Sequence, residues 1–329
     1  MIFGERVKIF FFGNMACYLS RQMHLCAEKH VMTFLDESAT DAEIASHCQN
    51  TDILVSMVFD QRFVTSSLKK VLVPGIGVDK INFSQLPENV EVLTCAAHEM
   101  AVSEYILSYV ISYFRELDSI GERFKSSYDW RDCSRLGGIA RKQLNELTVG
   151  VIGGGRIGRK VIEVFSFFGS SCRCLTRYPY ETSGSVLFFP RTERDDFIRG
   201  CDVVIVACGV DKDTQNIIDQ HAITMMEPDT LLINIARAEC VNYEALAAAC
   251  HDRKIGRAVI DVWQFYPQKG DQALRPSAAD FRQLDNVDMT PHISAWTRKV
   301  IADRAAILAR YINEESCNSA EYVLQENQA

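Results

Sequence analysis

The chain has 329 residues, enough for two domains, and its 47% hydrophobic and 24% charged residues are the ordinary mixture of a globular protein with a sizeable core. A net charge of −8 argues against a general nucleic-acid binder and against a polybasic membrane anchor. Twelve cysteines are scattered without a CxxC pair, only Cys172 and Cys174 standing close together, which reads as reduced thiols in a cytoplasmic protein with no metal site.

Val7 to Phe12 is apolar but too short for a membrane span or a signal sequence, and reads as a first strand. Cys17–Lys29 carries a helical pattern, Val31–Leu35 a strand, and Ile53–Phe59 a further element. Val71–Val73 runs into the turn Pro74–Asp79, and Val90–Thr94 is another strand. This alternation predicts a parallel sheet with helices on both faces. Met100 to Leu117 is a long helical pattern with Val102, Tyr105, Ile106, Tyr109, Val110 and Tyr113. Apolar residues cover much of its circumference, so it is expected to be buried between layers or domains. A polar region follows from Gly121 to Asn145, marked by Trp130 and the pair Gly137 and Gly138. Strand-like runs then return at 149–152, 172–175, 186–189, 203–207, 230–235, 257–261 and 287–290. Thr297–Ile312 is a closing helix expected to pack back on the first domain.

The second series of strands opens on a distinctive turn. Val149 to Ile152 is a short apolar run that leads into G-x-G-x-x-G, with Gly153, Gly155 and Gly158 at the glycine positions and Arg156 and Ile157 between the last two. Val161, Ile162, Val164, Phe165 and Phe168 then form one face of a helix. In a strand–turn–helix unit the first glycine allows the tight turn and the second lets a pyrophosphate approach the backbone. The third allows close helix–strand packing, and the helix N-terminus offers free N–H donors. A Rossmann-type dinucleotide site is the expectation.

Such a unit commonly ends its second strand, about 20 residues on, with an acidic residue for the adenosine ribose. Here that strand ends in Thr176 and Arg177, with no carboxylate. A guanidinium in that place favours the 2′-phosphate of NADP over NAD. The plainer alternative is a surface arginine at a strand end.

Three later strand ends bear on chemistry. The runs at 230–235, 257–261 and 287–290 lead to Arg237, to Asp261 and, through Pro291, to His292. Ligands of open α/β sheets bind at the carboxyl ends of strands. An arginine to clamp a carboxylate and a histidine to move a proton are what hydride transfer at a 2-keto acid needs.

Taken together, Gly75–Asp79, Ala101–Glu104, Gly150–Gly158, Asn234–Arg237, Asp261–Val262 and Thr290–His292 resemble, in order and spacing, the D-2-hydroxyacid dehydrogenase family over nearly the whole chain. The resemblance implies an α/β protein of two doubly wound parallel-sheet domains: a Rossmann cofactor domain, 100–295, inserted into a flavodoxin-like substrate domain, 1–99 and 296–329. It also implies a homodimer and a small 2-oxo or 2-hydroxy acid as substrate. By motif position Arg237 would bind the substrate carboxylate and carbonyl, and His292 would donate the proton. Backbone N–H groups of Ile76 and Gly77 would hold the carboxylate, with His98 near the substrate. Asp261 would hold the nicotinamide carboxamide, and Cys208, Thr214 and Ile235 would line the cofactor. Met57, Phe59 and Ile76 suggest a partly apolar substrate pocket.

The chain departs from the family pattern where a glutamate usually partners the histidine: Tyr266 stands there. A carboxylate beside an imidazolium raises its pKa and orients it, whereas a neutral phenol can only orient it. Gly209 replaces a usual proline, which would loosen the loop near the nicotinamide. Reduction of a 2-oxo acid is the expected activity. The alternatives are a cofactor-binding regulatory protein with little turnover and a dehydrogenase of a phosphonate- or phosphite-type anion.

Overall fold

The computed structural model describes residues 6–23, 30–181, 186–267 and 273–313. They fold as two units, one formed by 6–97 with 297–313 and the other by 98–267 with 273–296.

In the first unit, β1 (Val7–Phe12), α1 (Asn14–Ser20), β2 (His30–Leu35), α2 (Asp41–Cys48), β3 (Ile53–Ser56), β4 (Lys70–Val73) and β5 (Glu91–Thr94) alternate strand and helix. The strands form one parallel sheet in the order β2-β1-β3-β4-β5, the flavodoxin-like order. Along β1, side chains alternate between two cores, as the strand period of two requires. Ile9 and Phe11 join Leu19 and the closing helix Arg298–Ile312, while Phe10 and Phe12 join Ile44 of α2 and Phe63. The closing helix thus packs on the first unit, as its pattern predicts. Helix α1 begins at Asn14 and stops at Ser20, short of the expected Cys17–Lys29, whose residues 24–29 lie outside those described. Helix α2 starts on a capping box, Thr40 Oγ1 accepting from Glu43 N–H at 3.3 Å and Glu43 Oε2 accepting from Thr40 N–H at 2.7 Å. Phe59, expected at a pocket, is fully buried core beyond the end of β3.

The second unit opens with α3 (Glu99–Arg115) and α4 (Leu117–Ser127). The expected single helix Met100–Leu117 breaks at Glu116, which adopts a left-handed φ of 52°. Val102, Ile106 and Val110, one turn apart, bury one face of α3 in the core. Its tyrosines, half-buried, find partners for their hydroxyls: Tyr105 Oη lies 2.6 Å from Thr290 Oγ1, and Tyr113 Oη donates to Asp229 O at 3.0 Å. Helix α4 runs into the polar region read from Gly121 onward, and it buries no residue.

Then follow β6 (Thr148–Ile152), α5 (Arg156–Phe167), β7 (Ser171–Leu175), β8 (Val186–Phe189), α6 (Arg194–Ile198), β9 (Val203–Val206), α7 (Gln220–Thr224), β10 (Leu231–Asn234), α8 (Tyr243–His251), β11 (Arg257–Ile260) and β12 (Val287–Met289). All seven strands are parallel, in the order β12-β11-β10-β9-β6-β7-β8, which is Rossmann topology. Helices on both faces explain the uninterrupted apolar strands: Val203–Val206 is completely buried, with Val204 and Val206 in one core and Val203 and Ile205 in the other. Each such side chain contributes about 1.5–3 kcal/mol by leaving water. Among the described residues, no helix is long and apolar enough to cross a membrane, and no group of three His, Cys, Asp or Glu could hold a metal.

Candidate active site

The turn between β6 and α5 has the geometry of a pyrophosphate cradle. Gly153 sits at φ +112°, and a Cβ there would lie 2.7 Å from Ala207 O. A Cβ on Gly158 would come within 1.9 Å of Gly153 O, so only glycine lets the first turn of α5 close on the strand. Gly155 differs: it is the N-cap of α5, and a Cβ there would meet nothing within 4 Å. The space over Gly155 is open, and no side chain of the N-cap covers the helix N-terminus. These residues fit a dinucleotide, whose pyrophosphate Gly155 and the N-terminal N–H groups of Arg156 and Ile157 would hold. Arg156 also forms an ion pair with Glu99 at the start of α3.

At the end of β7, Thr176 is pinned by its N–H to Phe189 O at 3.0 Å. Arg177, expected to meet a 2′-phosphate or to be a plain surface arginine, is ion-paired. Its Nη2 donates to Asp211 Oδ2 at 2.9 Å and to Asp213 Oδ2 at 3.1 Å. Both aspartates lie on the loop after β9, and both also bind Arg191 from the end of β8. Thr214, expected beside the cofactor, is completely buried. Its hydroxyl donates to Gly209 O at 2.8 Å and accepts from Asp211 N–H at 2.7 Å, so its work is to brace the loop. Gly209, in the place of a usual proline, is therefore tied by its carbonyl. Cys208 Sγ lies 3.9 Å from Cys240 Sγ, a contact between two thiols. Ile235 is buried in the core at the end of β10.

The carboxyl ends of three neighbouring strands carry Arg237 (β10), Asp261 (β11) and His292 (β12). Arg237 follows a bend held by Asn234, whose Oδ1 accepts from Ala236 N–H at 3.2 Å and whose Nδ2 donates to Arg237 O at 3.0 Å. Arg237 Nη1 donates to Ala236 O at 2.7 Å. Asp261 is fully buried, and its carboxylate binds the histidine loop rather than facing outward. Oδ1 accepts from the Thr290 hydroxyl at 2.6 Å and from Ile293 N–H at 2.8 Å, and Oδ2 from Ser294 N–H at 2.9 Å. This clamp holds His292 at a left-handed φ of 59°, which histidine tolerates better than most side chains.

Tyr266 meets the histidine as its position implies. Its Oη is 2.9 Å from His292 Nδ1 and accepts from Trp263 N–H at 3.2 Å. Burial pushes the phenol above its ordinary pKa, against a smaller opposing pull from Trp263 N–H and from the Arg237 cation, so Tyr266 is neutral at working pH. Ile76 and Gly77 belong to the first unit, on the turn after β4, where Gly75 O accepts from Cys95 N–H at 2.9 Å. His98 is buried and occupies the N-cap position of α3 at the start of the second unit, with no capping bond from its side chain. Sequence reasoning named Thr290 only as part of the motif Thr290–His292, and missed Arg191, Asp211 and Asp213. Their partners are remote in the chain, and no local pattern marks them.

The family model described as D-isomer specific 2-hydroxyacid dehydrogenase, NAD binding domain, matches residues 107–294. Over 238 residues the chain is 29% identical to glyoxylate/hydroxypyruvate reductase A of Serratia proteamaculans (strain 568), spanning 70% of this chain and 72% of that protein. Over 246 residues it is 26% identical to the aromatic 2-oxoacid reductase of Clostridium sporogenes (strain ATCC 7955), spanning 72% of each. The solved structure of a 2-hydroxyacid dehydrogenase from Ketogulonicigenium vulgare Y25 has the same fold, with a TM-score of 0.76 and 20% identity over 94% of this chain and 95% of that one. The chain therefore belongs to the D-isomer specific 2-hydroxyacid dehydrogenase family and is an NAD(P)-dependent oxidoreductase of 2-hydroxy and 2-oxo acids.

Proposed function

We propose that the chain reduces a small 2-oxo acid to the 2-hydroxy acid, with His292 as the acid/base and Arg237 binding the carboxylate and carbonyl. The His292–Tyr266 pair carries this reading: the phenol oxygen lies 2.9 Å from His292 Nδ1, a contact that orients the ring for proton transfer through its other nitrogen. A bound nicotinamide cofactor supplies the hydride. As an imidazolium, His292 donates Nδ1–H to Tyr266 Oη and passes its Nε2 proton to the carbonyl oxygen. The neutral ring keeps Nδ1–H, so the pair survives the step. Arg237 stabilises the charge that develops on that oxygen. Asp261 is a positioning residue, acting through the loop it clamps. Ile76 and Gly77 are a separate proposal, as backbone donors to a carboxylate, resting on the motif Gly75–Asp79 that contains them.

NADP is the favoured cofactor, on the arginine and the missing carboxylate at the end of β7. Absorbance assays with NADH and NADPH in parallel test the whole reading. The panel is glyoxylate, hydroxypyruvate, aromatic 2-oxo acids and, with oxidised cofactor, phosphite. Reduction of one 2-oxo acid is the expected result. Cofactor binding without any turnover would instead mark a regulatory protein, and oxidation of phosphite alone an anion dehydrogenase.

Tyr266→Glu is expected to move the pH profile in a defined direction. Reduction needs protonated His292, so its rate falls as pH rises through the histidine pKa. A carboxylate in place of the phenol favours the imidazolium and carries that fall about one unit or more toward alkaline pH. Tyr266→Phe should lower kcat without moving the profile. Coincident profiles for wild type and Tyr266→Glu would defeat the account.

A homodimer is proposed as well. Leu117, Tyr128, Trp130, Leu136 and Ile139 are all more than half exposed, on α4 and the segment after it, where a second copy would cover them. Sedimentation equilibrium at micromolar concentration should give twice the chain mass; a monomer would overturn this.

A further inference from the structure

The ends of β7 and β8 and the loop after β9 bring together four charged side chains, of which only Arg177 enters the cofactor reading above. Arg177 Nη2 reaches Asp211 Oδ2 at 2.9 Å and Asp213 Oδ2 at 3.1 Å. Arg191 Nη1 reaches both oxygens of Asp211 at 3.1 Å and Asp213 Oδ2 at 3.3 Å. The two aspartates are held differently. Asp211 Oδ1 also accepts from Asp213 N–H at 2.8 Å and from Thr214 N–H at 2.9 Å. Asp211 is therefore part of the loop's frame. The Asp213 carboxylate is held by the two arginines, and its side chain is 45% exposed. Two cations and two anions sum to zero, so an arriving dianion meets little net attraction unless one carboxylate leaves. Asp213 is the one able to leave.

We propose that Asp213 is a built-in competitor for the 2′-phosphate of NADP, and that Arg191 is the second cation that takes this phosphate with Arg177 once Asp213 turns away. The inference rests on the reading that the adenosine ribose lies at the end of β7. NAD carries a hydroxyl at that place and leaves the four-residue cluster intact. Cofactor preference is then set by Asp213 as much as by the arginines: while its carboxylate stays charged, the gain from the 2′-phosphate is reduced.

Calorimetric titration of the full chain with adenosine 2′,5′-bisphosphate and with adenosine 5′-monophosphate tests this without turnover. Asp213→Asn should tighten the bisphosphate roughly tenfold, the equivalent of one charge-assisted hydrogen bond regained. Arg191→Gln should weaken it by about the same factor. Neither should move the monophosphate by more than about twofold, which also reports that each variant is folded. If Asp213→Asn leaves the bisphosphate unchanged, or tightens both ligands alike, the competitor is overturned. If Arg191→Gln has no effect, its part is overturned. An unaffected bisphosphate in Arg177→Gln would instead defeat the NADP reading itself, whereas a loss there with a silent Asp213→Asn defeats the competitor alone.

Discussion

Replacing His292 with asparagine is expected to lower kcat for 2-oxo acid reduction about a thousandfold, within the usual span for a lost general acid, while cofactor affinity stays within about twofold. Asparagine is the informative choice because the residue sits at a φ of 59°. It is among the few side chains that accept the left-handed region at little cost, so the loop that Asp261 clamps is kept and the proton alone is lost. The remaining activity should be flat across the pH range in which wild-type reduction falls, since no group is left to titrate. His292→Ala should show the same loss of turnover with a further cost from backbone strain, about 1 kcal/mol, visible as a lower melting temperature. Turnover with the substrate panel and cofactor binding by fluorescence separate the two effects. Equal losses in both would give His292 a structural role.

The fold was legible because its parts obey local rules. Buried parallel strands read as uninterrupted apolar runs, and Val203–Val206 is completely buried on both faces of its sheet. The glycine turn could be read because the demand for no side chain is itself local: Gly158 faces the carbonyl of Gly153. Helix α2 escaped notice although Thr40 and Glu43 form a capping box, a signal that was present in the sequence. Helix α4 is a different case: Leu117, Ile120 and Phe124 stand at i, i+3 and i+7, but they are set in a polar stretch and the helix buries no residue. The site was legible only where one residue per strand end sufficed, as for Arg237 and His292. Arg177 could be seen, but not its partners Asp211 and Asp213, which stand 34 and 36 residues away and meet it only through the sheet order. The same holds for Asp261, whose hold on Ile293 and Ser294 depends on β11 and β12 being neighbours. Pairing across strands is a property of topology, and a linear pattern does not contain it.

Arg237→Lys is expected to lower kcat/KM by roughly a hundredfold or more although the charge is kept. The backbone that presents Arg237 is held by hydrogen bonds with Asn234. Asn234 bridges the bend, and its Nδ2 also donates to Tyr243 Oη at 3.2 Å, which in turn donates to Val262 O at 2.6 Å. That network ties the end of β10 to the end of β11, and substitution of the Arg237 side chain leaves it in place. What changes is the donor geometry. A guanidinium offers a planar fork that can meet a carboxylate and a carbonyl oxygen together, whereas an ammonium is a point charge that satisfies one of them. Each charge-assisted hydrogen bond is worth about 1.5–3 kcal/mol, so losing one costs about ten- to a hundredfold, and poorer placement of the oxygen adds to it. Arg237→Met removes both bonds and should fall further, by about a thousandfold or more. Addition of guanidinium to Arg237→Ala should restore part of the rate, a response that a purely structural arginine would not give. Cofactor affinity and melting temperature should change little in all three variants. If Arg237→Lys keeps kcat/KM within about threefold of wild type, the paired grip on carboxylate and carbonyl is wrong, and Arg237 serves only as a nearby positive charge.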